Sequence, residues 1–162
     1  MSFHFKLADY HNPTDAKYVI ELLNAYATDP MGGGEPLADE VKNTLIEKLQ
    51  QQPTAFSILG YEEGSDEPIA LANCFTGFST FKAKPLVNIH DCYVAPQCRG
   101  QYVGQQLLDA VRDEAIKRGS CKITLEVLEG NERAKAAYQK YGFKGYALDE
   151  KSGSAVFWEY SL

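Results

Sequence analysis

The stretch that decides the fold reads Val94-Ala95-Pro96-Gln97-Cys98-Arg99-Gly100-Gln101-Tyr102-Val103-Gly104-Gln105-Gln106-Leu107-Leu108. An apolar run from Leu86 to Val94 predicts a strand that ends before Pro96. Apolar residues then recur at helical spacing from Val103 to Ala115. A strand, an Arg/Gly turn and a helix start bring backbone N–H groups and the positive end of a helix dipole to one place. Such a place can hold a phosphate, and we expect the function to reside there.

Bulk properties bound the class of protein. A chain of 162 residues with 44% hydrophobic residues is typical of one globular domain, and we expect a single domain over 1–162. A net charge of −6 without a basic patch argues against nucleic-acid binding. We expect no membrane span, no leader and no metal site, because the long apolar runs and ligand clusters that these need are missing. The four cysteines lie mostly in apolar runs without a C-x-x-C pair, which favours free thiols in the cytoplasm: Cys74, Cys92, Cys98 and Cys121.

The pattern along the chain predicts a mixed α/β layer. Asn12 is predicted to cap a first helix, and the loop Asp29–Glu35 ends it. A second helix is predicted from the spacing of Leu37, Val41, Leu45 and Leu49, and ends before Pro53. Two more helices are predicted over Val103–Arg118 and from Asn131 to Tyr141. Seven strands are predicted, at Phe3–Leu7, Ala55–Tyr61, Ile69–Phe78, Leu86–Val94, Ile123–Leu128, Gly145–Leu148 and Ala155–Tyr160.

Two common phosphate-binding motifs fit this turn poorly. A P-loop would continue Gly-Lys-Ser/Thr, whereas Gly104 is followed by Gln105. A dinucleotide-binding fingerprint would come early in the chain and needs three glycines at fixed spacing, which the turn lacks, although Glu126 lies near the distance expected for its acidic residue. A different kind of phosphate site is therefore indicated.

The turn resembles the central signature of the GNAT superfamily of acyl-CoA-dependent N-acyltransferases, Gln/Arg-x-x-Gly-x-Gly/Ala. Here it reads Arg99-Gly100-Gln101-Tyr102-Val103-Gly104, and it departs at Tyr102, where the family usually has glycine. Downstream, Asn131-Glu132-Arg133-Ala134-Lys135-Ala136-Ala137-Tyr138-Gln139-Lys140-Tyr141-Gly142-Phe143 is similar to the family's later Asn-x-x-Ala-x-x-x-Tyr-x-x-x-Gly-Phe element. The segments from Cys74 to Phe81 and from Ile89 to Val94 also resemble the diamine (spermidine/spermine) acetyltransferase branch.

The resemblance implies a fold and a cosubstrate. The fold would be the α/β GNAT fold, a central mixed and mostly antiparallel sheet of about six to seven strands with helices on both faces. The cosubstrate would be acetyl-CoA. Arg99 would contact phosphate or remain a solvated turn residue, and Asn131 would bind the pantetheine arm, cap its helix, or do both. The residues expected to bind acetyl-CoA are Cys92, Tyr93, Val94, Arg99, Gly100, Gln101, Tyr102, Val103, Gly104, Asn131 and Tyr138.

Acetyl transfer places chemical demands on further residues. An alkyl amine with a pKa of about 10.4 is mostly protonated at neutral pH, so a base is useful, and His90 stands where the diamine branch carries a glutamate base. Asp91, Glu126 and a water molecule are the alternatives for the base. By strand alternation, His90 and Asp91 share one site only if the strand has a bulge. An N–H at Cys92 or Tyr93 would stabilise the oxyanion. Tyr138 matches the family's acid tyrosine, and otherwise packs its ring in the core.

We therefore expect an N-acetyltransferase that transfers the acetyl group directly to a primary amine in a ternary complex. A diamine or polyamine is the first choice of acceptor, and an amino acid or peptide N-terminus is the second. An acyl-enzyme on Cys92 is a weaker alternative, as is an acyl-CoA-binding regulatory module without activity. The loop Asp29–Glu35 would frame the amine entrance. The resemblance also implies a homodimer, for which Ala155–Tyr160 offers an apolar surface.

Overall fold

The computed structural model describes residues 2–162 and divides into two compact units, Met1–Leu128 and Glu129–Leu162. The first unit contains a five-stranded sheet in which sequence neighbours are also spatial neighbours, in the order β1-β2-β3-β4-β5. The first four strands pair antiparallel, and β5 pairs parallel to β4. The strands are β1 (Phe3–Leu7), β2 (Ala55–Glu62), β3 (Pro68–Ser79), β4 (Lys84–Val94) and β5 (Ile123–Leu125).

Two helices connect β1 to β2. The first, α1 (Pro13–Thr28), begins as predicted at Asn12, whose side-chain oxygen accepts hydrogen bonds from the N–H groups of Thr14 and Asp15. The second is α2 (Asp39–Gln50), whose half-buried Ile46 and Leu49 pack against the hydrophobic core. The hydrophobic core on this side of the sheet packs α1 against β2, β3 and β4. Val19 and Leu22 come from α1, and the strands contribute Leu59, Tyr61, Leu71 and Tyr93.

The third helix covers the other face of the sheet. Side chains alternate along a strand, so Ile58 and Ala72 point away from the side that Leu59 and Leu71 share with α1. A short 3₁₀ turn (Pro96–Cys98) follows β4, and α3 (Val103–Lys117) then packs across β1 to β4. Its buried apolar residues repeat at three- and four-residue intervals, at Val103, Leu107, Leu108, Val111 and Ala115. The predicted mixed, mostly antiparallel sheet with helices on both faces is confirmed.

The second unit contains α4 (Glu132–Tyr141), which begins after Asn131 and ends at Gly142 in the left-handed region, with a φ of 117°. The predicted strands at Gly145–Leu148 and Ala155–Tyr160 were wrong. The predicted reversal at Ser152-Gly153 forms, but it carries only the isolated bridge between Ala147 and Ser154 and the bond from Ala155 N–H to Tyr146 O. A strand needs a continuous hydrogen-bonded neighbour as well as suitable residues, and in residues 2–162 this segment has only that isolated pairing.

Two smaller differences concern the sheet and the helices. The fifth strand ends at Leu125 rather than at the predicted Leu128. Because the two predicted C-terminal strands are not formed, the described sheet has five strands instead of six or seven. The predicted helix to Arg118 ends one residue earlier, at Lys117. Among residues 2–162, every helix is too short or too polar to cross a bilayer.

Candidate active site

The turn between β4 and α3 contains two residues with positive φ. Gly100 has a φ of 84°, and Tyr102 has φ 64° and ψ 8°, so both lie in the left-handed region. Tyrosine adopts this conformation at a cost of about 1–2 kcal/mol, because its Cβ crowds the following carbonyl oxygen. The departure from glycine at Tyr102 therefore leaves the expected backbone angles in place. Its ring is 62% exposed.

The first turn of α3 leaves its amides to other partners. No side chain of the described chain caps this helix, and its first turn holds no acidic residue. Unpaired N–H groups and the positive end of the helix dipole then face the same space. Gly104 adds room there, since the nearest atom to a Cβ at that position would be Val94 Cγ2 at 3.8 Å. These features fit an anionic group without a clamp of basic side chains.

The second half of β4 presents an open edge beside this turn. β5 pairs with β4 only from Val87 to Ile89, whereas β3 pairs with β4 as far as Val94. Ala95 N–H donates to Ile69 O on the β3 side at 2.8 Å. Hydrogen bonds alternate along an antiparallel pair, so the Tyr93 amide also points to β3 and the amides of Cys92 and Val94 point to the open edge. Of the two amides considered for the oxyanion, Cys92 has the suitable direction.

A β-bulge lies at His90. The register passes from Asn73 opposite Asp91 to Cys74 opposite Ile89, which leaves His90 as the extra residue. The His90 ring is exposed, contacts Asn88 Oδ1 through Nδ1 at 3.3 Å and stands edge-on to Phe75, with ring centroids 5.3 Å apart. Because the bulge interrupts the alternation of side chains, His90 and Asp91 need not lie on opposite faces of the sheet.

Arg99 connects the turn to the end of α1. Its Nε donates to Val94 O at 2.9 Å, and its Nη2 binds Asp29 Oδ2 at 2.6 Å. The Arg99 guanidinium and a hydrogen bond from Met31 N–H hold the pKa of Asp29 below its ordinary value. A guanidinium has five N–H donors, so Nη1 is still available for a phosphate. Sequence reasoning missed Asp29 as the partner because the two residues are 70 positions apart.

The loop Asp29–Glu35 is shaped by Asp29 and its glycines. Asp29 O accepts hydrogen bonds from the N–H groups of Gly32 and Gly34. Gly32 lies so close to the backbone of Tyr26 that a Cβ would collide with its carbonyl oxygen. The glycine is therefore required by packing, and the loop is a fixed turn at the end of α1.

The remaining candidate residues follow β5 in the sequence. Glu126 follows β5 and is exposed. In the second unit, Asn131 Oδ1 accepts from Ala134 N–H at 3.2 Å, which leaves its amide N–H groups for another partner. Tyr138 is half-buried, two helical turns after Asn131 on the same side of α4, and its ring meets Phe143 at 5.8 Å.

The cysteines and the possible metal ligands are the last side chains with chemistry of their own. All four cysteines are free, with Cys74 and Cys98 buried, Cys92 half-buried and Cys121 exposed. Burial raises the pKa of the Cys74 thiol and that of Cys98, so neither is poised as a nucleophile. Over residues 2–162, no three His, Cys, Asp or Glu side chains converge in a way that could hold a metal ion.

Part of this sequence is similar to curated acetyltransferases. Thialysine N-epsilon-acetyltransferase of Bos taurus is 32% identical over 93 residues, covering 49% of this chain and 54% of that protein. An uncharacterised N-acetyltransferase of Bacillus subtilis (strain 168) is 27% identical over 88 residues, covering 54% of this chain and 59% of that protein. The chain thus spans little more than half the length of these curated relatives.

Solved structures share the fold at low identity. The aminoglycoside acetyltransferase meta-AAC0020 from an uncultured soil metagenomic sample, in complex with trehalose, has a TM-score of 0.76 at 16% identity, covering 99% of this chain and 96% of that chain. AAC(6')-Iy in complex with the bisubstrate analogue CoA-S-monomethyl-acetylneamine also has a TM-score of 0.76 at 16% identity, covering all of both chains. The profile of the Acetyltransferase (GNAT) family matches residues 18–143. The chain therefore belongs to the GNAT acetyltransferase family.

Proposed function

We propose that this protein is an acetyl-CoA-dependent N-acetyltransferase that acetylates a primary amine of a small molecule by direct transfer in a ternary complex. The family uses acetyl-CoA as its acetyl donor. The observation that carries the proposal is the turn from Gly100 to Tyr102, with its left-handed residues and the uncapped start of α3, beside the open edge of β4. This arrangement supports binding of a pyrophosphate and an extended arm at adjoining places.

The turn and the strand edge would hold the cosubstrate. The amides from Gly100 to Gly104 would bind the pyrophosphate, and the remaining Arg99 Nη1 would add a charged contact. The outward amide of Val94 would hydrogen-bond the pantetheine arm, as would the side chain of Asn131. The Cys92 amide would donate to the carbonyl oxygen of the acetyl group as negative charge develops on it.

Transfer then requires one base and one acid. His90 would accept the proton of the attacking amine, so that the nitrogen lone pair forms the new C–N bond. Tyr138 would donate its phenolic proton to the sulfur as the C–S bond breaks. The products are an N-acetyl amine and CoA with a thiol. Asp91 and Glu126 are the alternative bases; exposed Glu126 stands just beyond β5, whereas His90 and Asp91 belong to the bulge on β4.

The first-choice acceptor is a diamine or polyamine. The resemblance of the β3 and β4 segments to the diamine acetyltransferase branch and the net charge of −6 support a cationic substrate. The similarity to thialysine N-epsilon-acetyltransferase supports a primary amine on a side chain and keeps an amino acid as the second choice. A non-catalytic acyl-CoA-binding module is the competing function.

Release of free CoA with a panel of amines tests the proposal. The panel contains spermidine, 1,4-diaminobutane, thialysine, lysine and a short peptide, and we expect turnover that depends on both acetyl-CoA and amine. Binding of acetyl-CoA without turnover on any amine would favour the non-catalytic module. Absence of acetyl-CoA binding would refute the proposal in either form.

Replacement of Tyr138 tests the proposed acid. Tyr138→Phe removes only the hydroxyl, and we expect kcat to fall about 100-fold while the Kd of acetyl-CoA stays within twofold. Tyr141→Phe is the matched control, because Tyr141 lies on the same helix and its ring also packs against Phe143. Equal kcat values for the wild type and Tyr138→Phe would show that another group protonates the sulfur.

The protein is also proposed to be a cytoplasmic homodimer. Four free thiols support a reducing compartment. The segment Ala155–Tyr160 supports a covered surface, because four of its apolar or aromatic side chains are more than 70% exposed: Val156, Phe157, Trp158 and Tyr160. Light scattering after gel filtration would give about twice the chain mass of 18.0 kDa for a dimer. A mass equal to one chain would contradict the dimer.

A further inference from the structure

The hairpin between β3 and β4 ends in exposed aromatic side chains. β3 ends at Ser79 and β4 begins at Lys84, so residues 80–83 form the tip of the hairpin. Phe81, in the tip, is 97% exposed, and Phe78, near the end of β3, is 62% exposed. Two large apolar side chains at one projecting tip form a patch that contributes little to the core. The patch is therefore available to a partner outside the chain.

Exposed lysines surround the same end of the sheet. Lys82 and Lys84 belong to the hairpin itself. Lys122 lies beside the hairpin, because Lys122 O accepts a hydrogen bond from Val87 N–H at 3.1 Å. All three lysines are exposed, and none forms an ion pair within residues 2–162. We define the hairpin tip surface as Phe78, Phe81, Lys82, Lys84 and Lys122.

The surroundings of the hairpin tip surface are also positively charged. Cys121 N–H donates to Pro85 O at 2.8 Å, which holds the segment after α3 against the hairpin. At the end of α3, Lys117 and Arg118 share one carboxylate, that of Glu114. Residues 75–90 and 115–125 contain no Asp or Glu. A chain with a net charge of −6 therefore has one cationic end of its sheet.

The opposite end of the sheet carries the opposite charge. The turn between β2 and β3 is acidic, with carboxylates at Glu62, Glu63, Asp66 and Glu67. A negatively charged surface would attract the hairpin tip and repel this turn, which gives the molecule one preferred orientation. The rise of about 3.3 Å per residue separates the two ends of β4 by about 33 Å. Contact at the hairpin tip therefore leaves the turn before α3 open.

Shape and charge together favour a lipid surface over other anionic partners. A ring that is 97% exposed projects outward, without the groove walls that hold a peptide or a nucleic-acid strand. An anionic bilayer accepts such a ring among its headgroups, while lysines beside the ring contact the lipid phosphates. Aromatic and lysine side chains that lie close together, with no carboxylate in the same segment, match that arrangement.

We propose that the hairpin tip surface docks this protein reversibly on an anionic lipid surface. Phe78 and Phe81 insert at the level of the headgroups, and the three lysines contact lipid phosphates. The partner is the negatively charged face of a bilayer rather than a second protein. The contact is independent of the proposed function, because its residues belong neither to the turn before α3 nor to the bulge of β4.

Co-sedimentation of the full chain with vesicles tests the docking. The vesicles contain phosphatidylcholine alone or an equimolar mixture of phosphatidylcholine and phosphatidylserine. We expect binding to the mixed vesicles only, and weaker binding as the salt concentration rises. Lack of binding to the mixed vesicles, or equal binding to both kinds, would overturn the proposal.

Replacement of a tip lysine tests the electrostatic part of the contact. Lys84→Glu should lower the partition coefficient onto mixed vesicles by about fivefold or more, since each lysine near an anionic surface contributes about that factor. Lys17→Glu is the matched control, because Lys17 is also exposed but belongs to α1. It changes the net charge equally, and we expect its partition coefficient to stay within about twofold of the wild type. Equal losses in the two variants would show that net charge alone drives binding, and would overturn the proposal.

Replacement of Phe81 tests insertion. Phe81→Ser should lower the same partition coefficient about tenfold, because the variant has no apolar ring to remove from water. Its melting temperature should equal that of the wild type, since a ring that is 97% exposed does not stabilise the core. Phe81→Trp keeps a large aromatic ring and should bind at least as well as the wild type. Undiminished binding by Phe81→Ser would overturn insertion at the tip.

Tryptophan fluorescence distinguishes a lipid surface from other polyanions. The chain has one tryptophan, Trp158, so Phe81→Trp/Trp158→Phe carries its single indole on the tip. We expect a blue shift of emission with the mixed vesicles, because the indole enters less polar surroundings, and no shift with phosphatidylcholine alone. Binding of a single-stranded oligonucleotide or of poly-L-glutamate, together with no blue shift on mixed vesicles, would assign the tip to another polyanion and overturn the proposal.

Discussion

The first turns of α1 and α3 begin in opposite ways. At α1, the Asn12 side chain accepts from the N–H groups of Thr14 and Asp15, and Asp15 adds an acidic residue to the first turn. At α3, the preceding residue is Tyr102 in the left-handed region, without a capping side chain or an acidic residue anywhere in the described first turn. One helix start is completed by its own side chains, whereas the other has no side-chain cap and is the start at which we propose that an anion binds. The comparison therefore separates a helix start that serves the fold from one that we propose serves binding.

The largest effect is expected on acetyl-CoA binding, when a negative charge is placed in the first turn of α3. Gly104→Asp places a carboxylate against the proposed pyrophosphate, and we expect the Kd of acetyl-CoA to rise at least about 100-fold, or about 2.7 kcal/mol. An acidic residue in the first turn favours the helix itself, so the melting temperature should not fall for electrostatic reasons.

Gly104→Ala is the control for that substitution. Its Cβ would lie at ordinary contact distance from Val94, so the fold should accept it. We expect a change in acetyl-CoA affinity of less than tenfold. Calorimetry on both variants measures the difference, and equal loss of affinity in the two would show that shape, rather than charge, limits the site.

The ion pair between Arg99, in the turn before α3, and Asp29, at the end of α1, should give the next largest effect. Asp29→Asn removes the charged partner of Arg99, and we expect a loss of about 1.5 kcal/mol in the free energy of unfolding at neutral pH. Because the Asp29 pKa is lowered in the folded protein, its contribution is complete above the unfolded value of about 3.9. The contribution is lost as the pH falls through the folded value. In urea unfolding, the difference in free energy of unfolding between the wild type and Asp29→Asn should be smaller at pH 3 than at pH 7. A larger difference at pH 3 would contradict a lowered Asp29 pKa in the folded protein.

A smaller effect is expected at the α1 start. Asn12→Ala should cost about 1 kcal/mol in the free energy of unfolding, because two amides lose their acceptor. Asn12→Asp retains the acceptor and should cost less. The Kd of acetyl-CoA should be unchanged in both, since this cap serves only the fold. A raised Kd of acetyl-CoA in a folded Asn12→Ala variant would show that the α1 cap also affects cosubstrate binding.

The smallest effect concerns the strain at Tyr102. Tyr102→Gly relieves the left-handed conformation but adds freedom to the unfolded chain, and Tyr102→Ala removes the ring while keeping the Cβ. We expect the glycine variant to be more stable than the alanine variant by about 0.5 kcal/mol in urea unfolding. Greater stability of the alanine variant would mean that the left-handed backbone at this position carries no strain.

Local signals were enough to predict most of the fold. The Asn12 cap, the helical spacing in α3 and the apolar runs of β2 to β4 all depend on neighbouring residues, and the structure confirms each. The strand predicted at Ala155–Tyr160 also has suitable residues, but it depends on a partner strand that sequence pattern does not reveal. A propensity for strands thus predicts conformation only where a neighbour supplies the hydrogen bonds.

The candidate site could be predicted only in part for a similar reason. The residues from Arg99 to Gly104 predicted a turn between a strand and a helix, and the structure has that turn, with Tyr102 in the left-handed region. The partners across the sheet were not: the Arg99–Asp29 ion pair and the contact of Asn73 with Asp91 join distant positions. Ser57 and Asn73 are recognisable in the sequence only as polar residues inside apolar strands.

The most direct test is an NMR titration of the ¹⁵N-labelled protein with acetyl-CoA. We expect the largest amide shifts at Gly100, Tyr102 and Gly104 in the turn and at Cys92 and Val94 on the open edge of β4. The amide signals of Thr14 and Asp15 at the start of α1 should barely shift. Large shifts at the start of α1 with unchanged signals in the turn before α3 would contradict the proposed acetyl-CoA site.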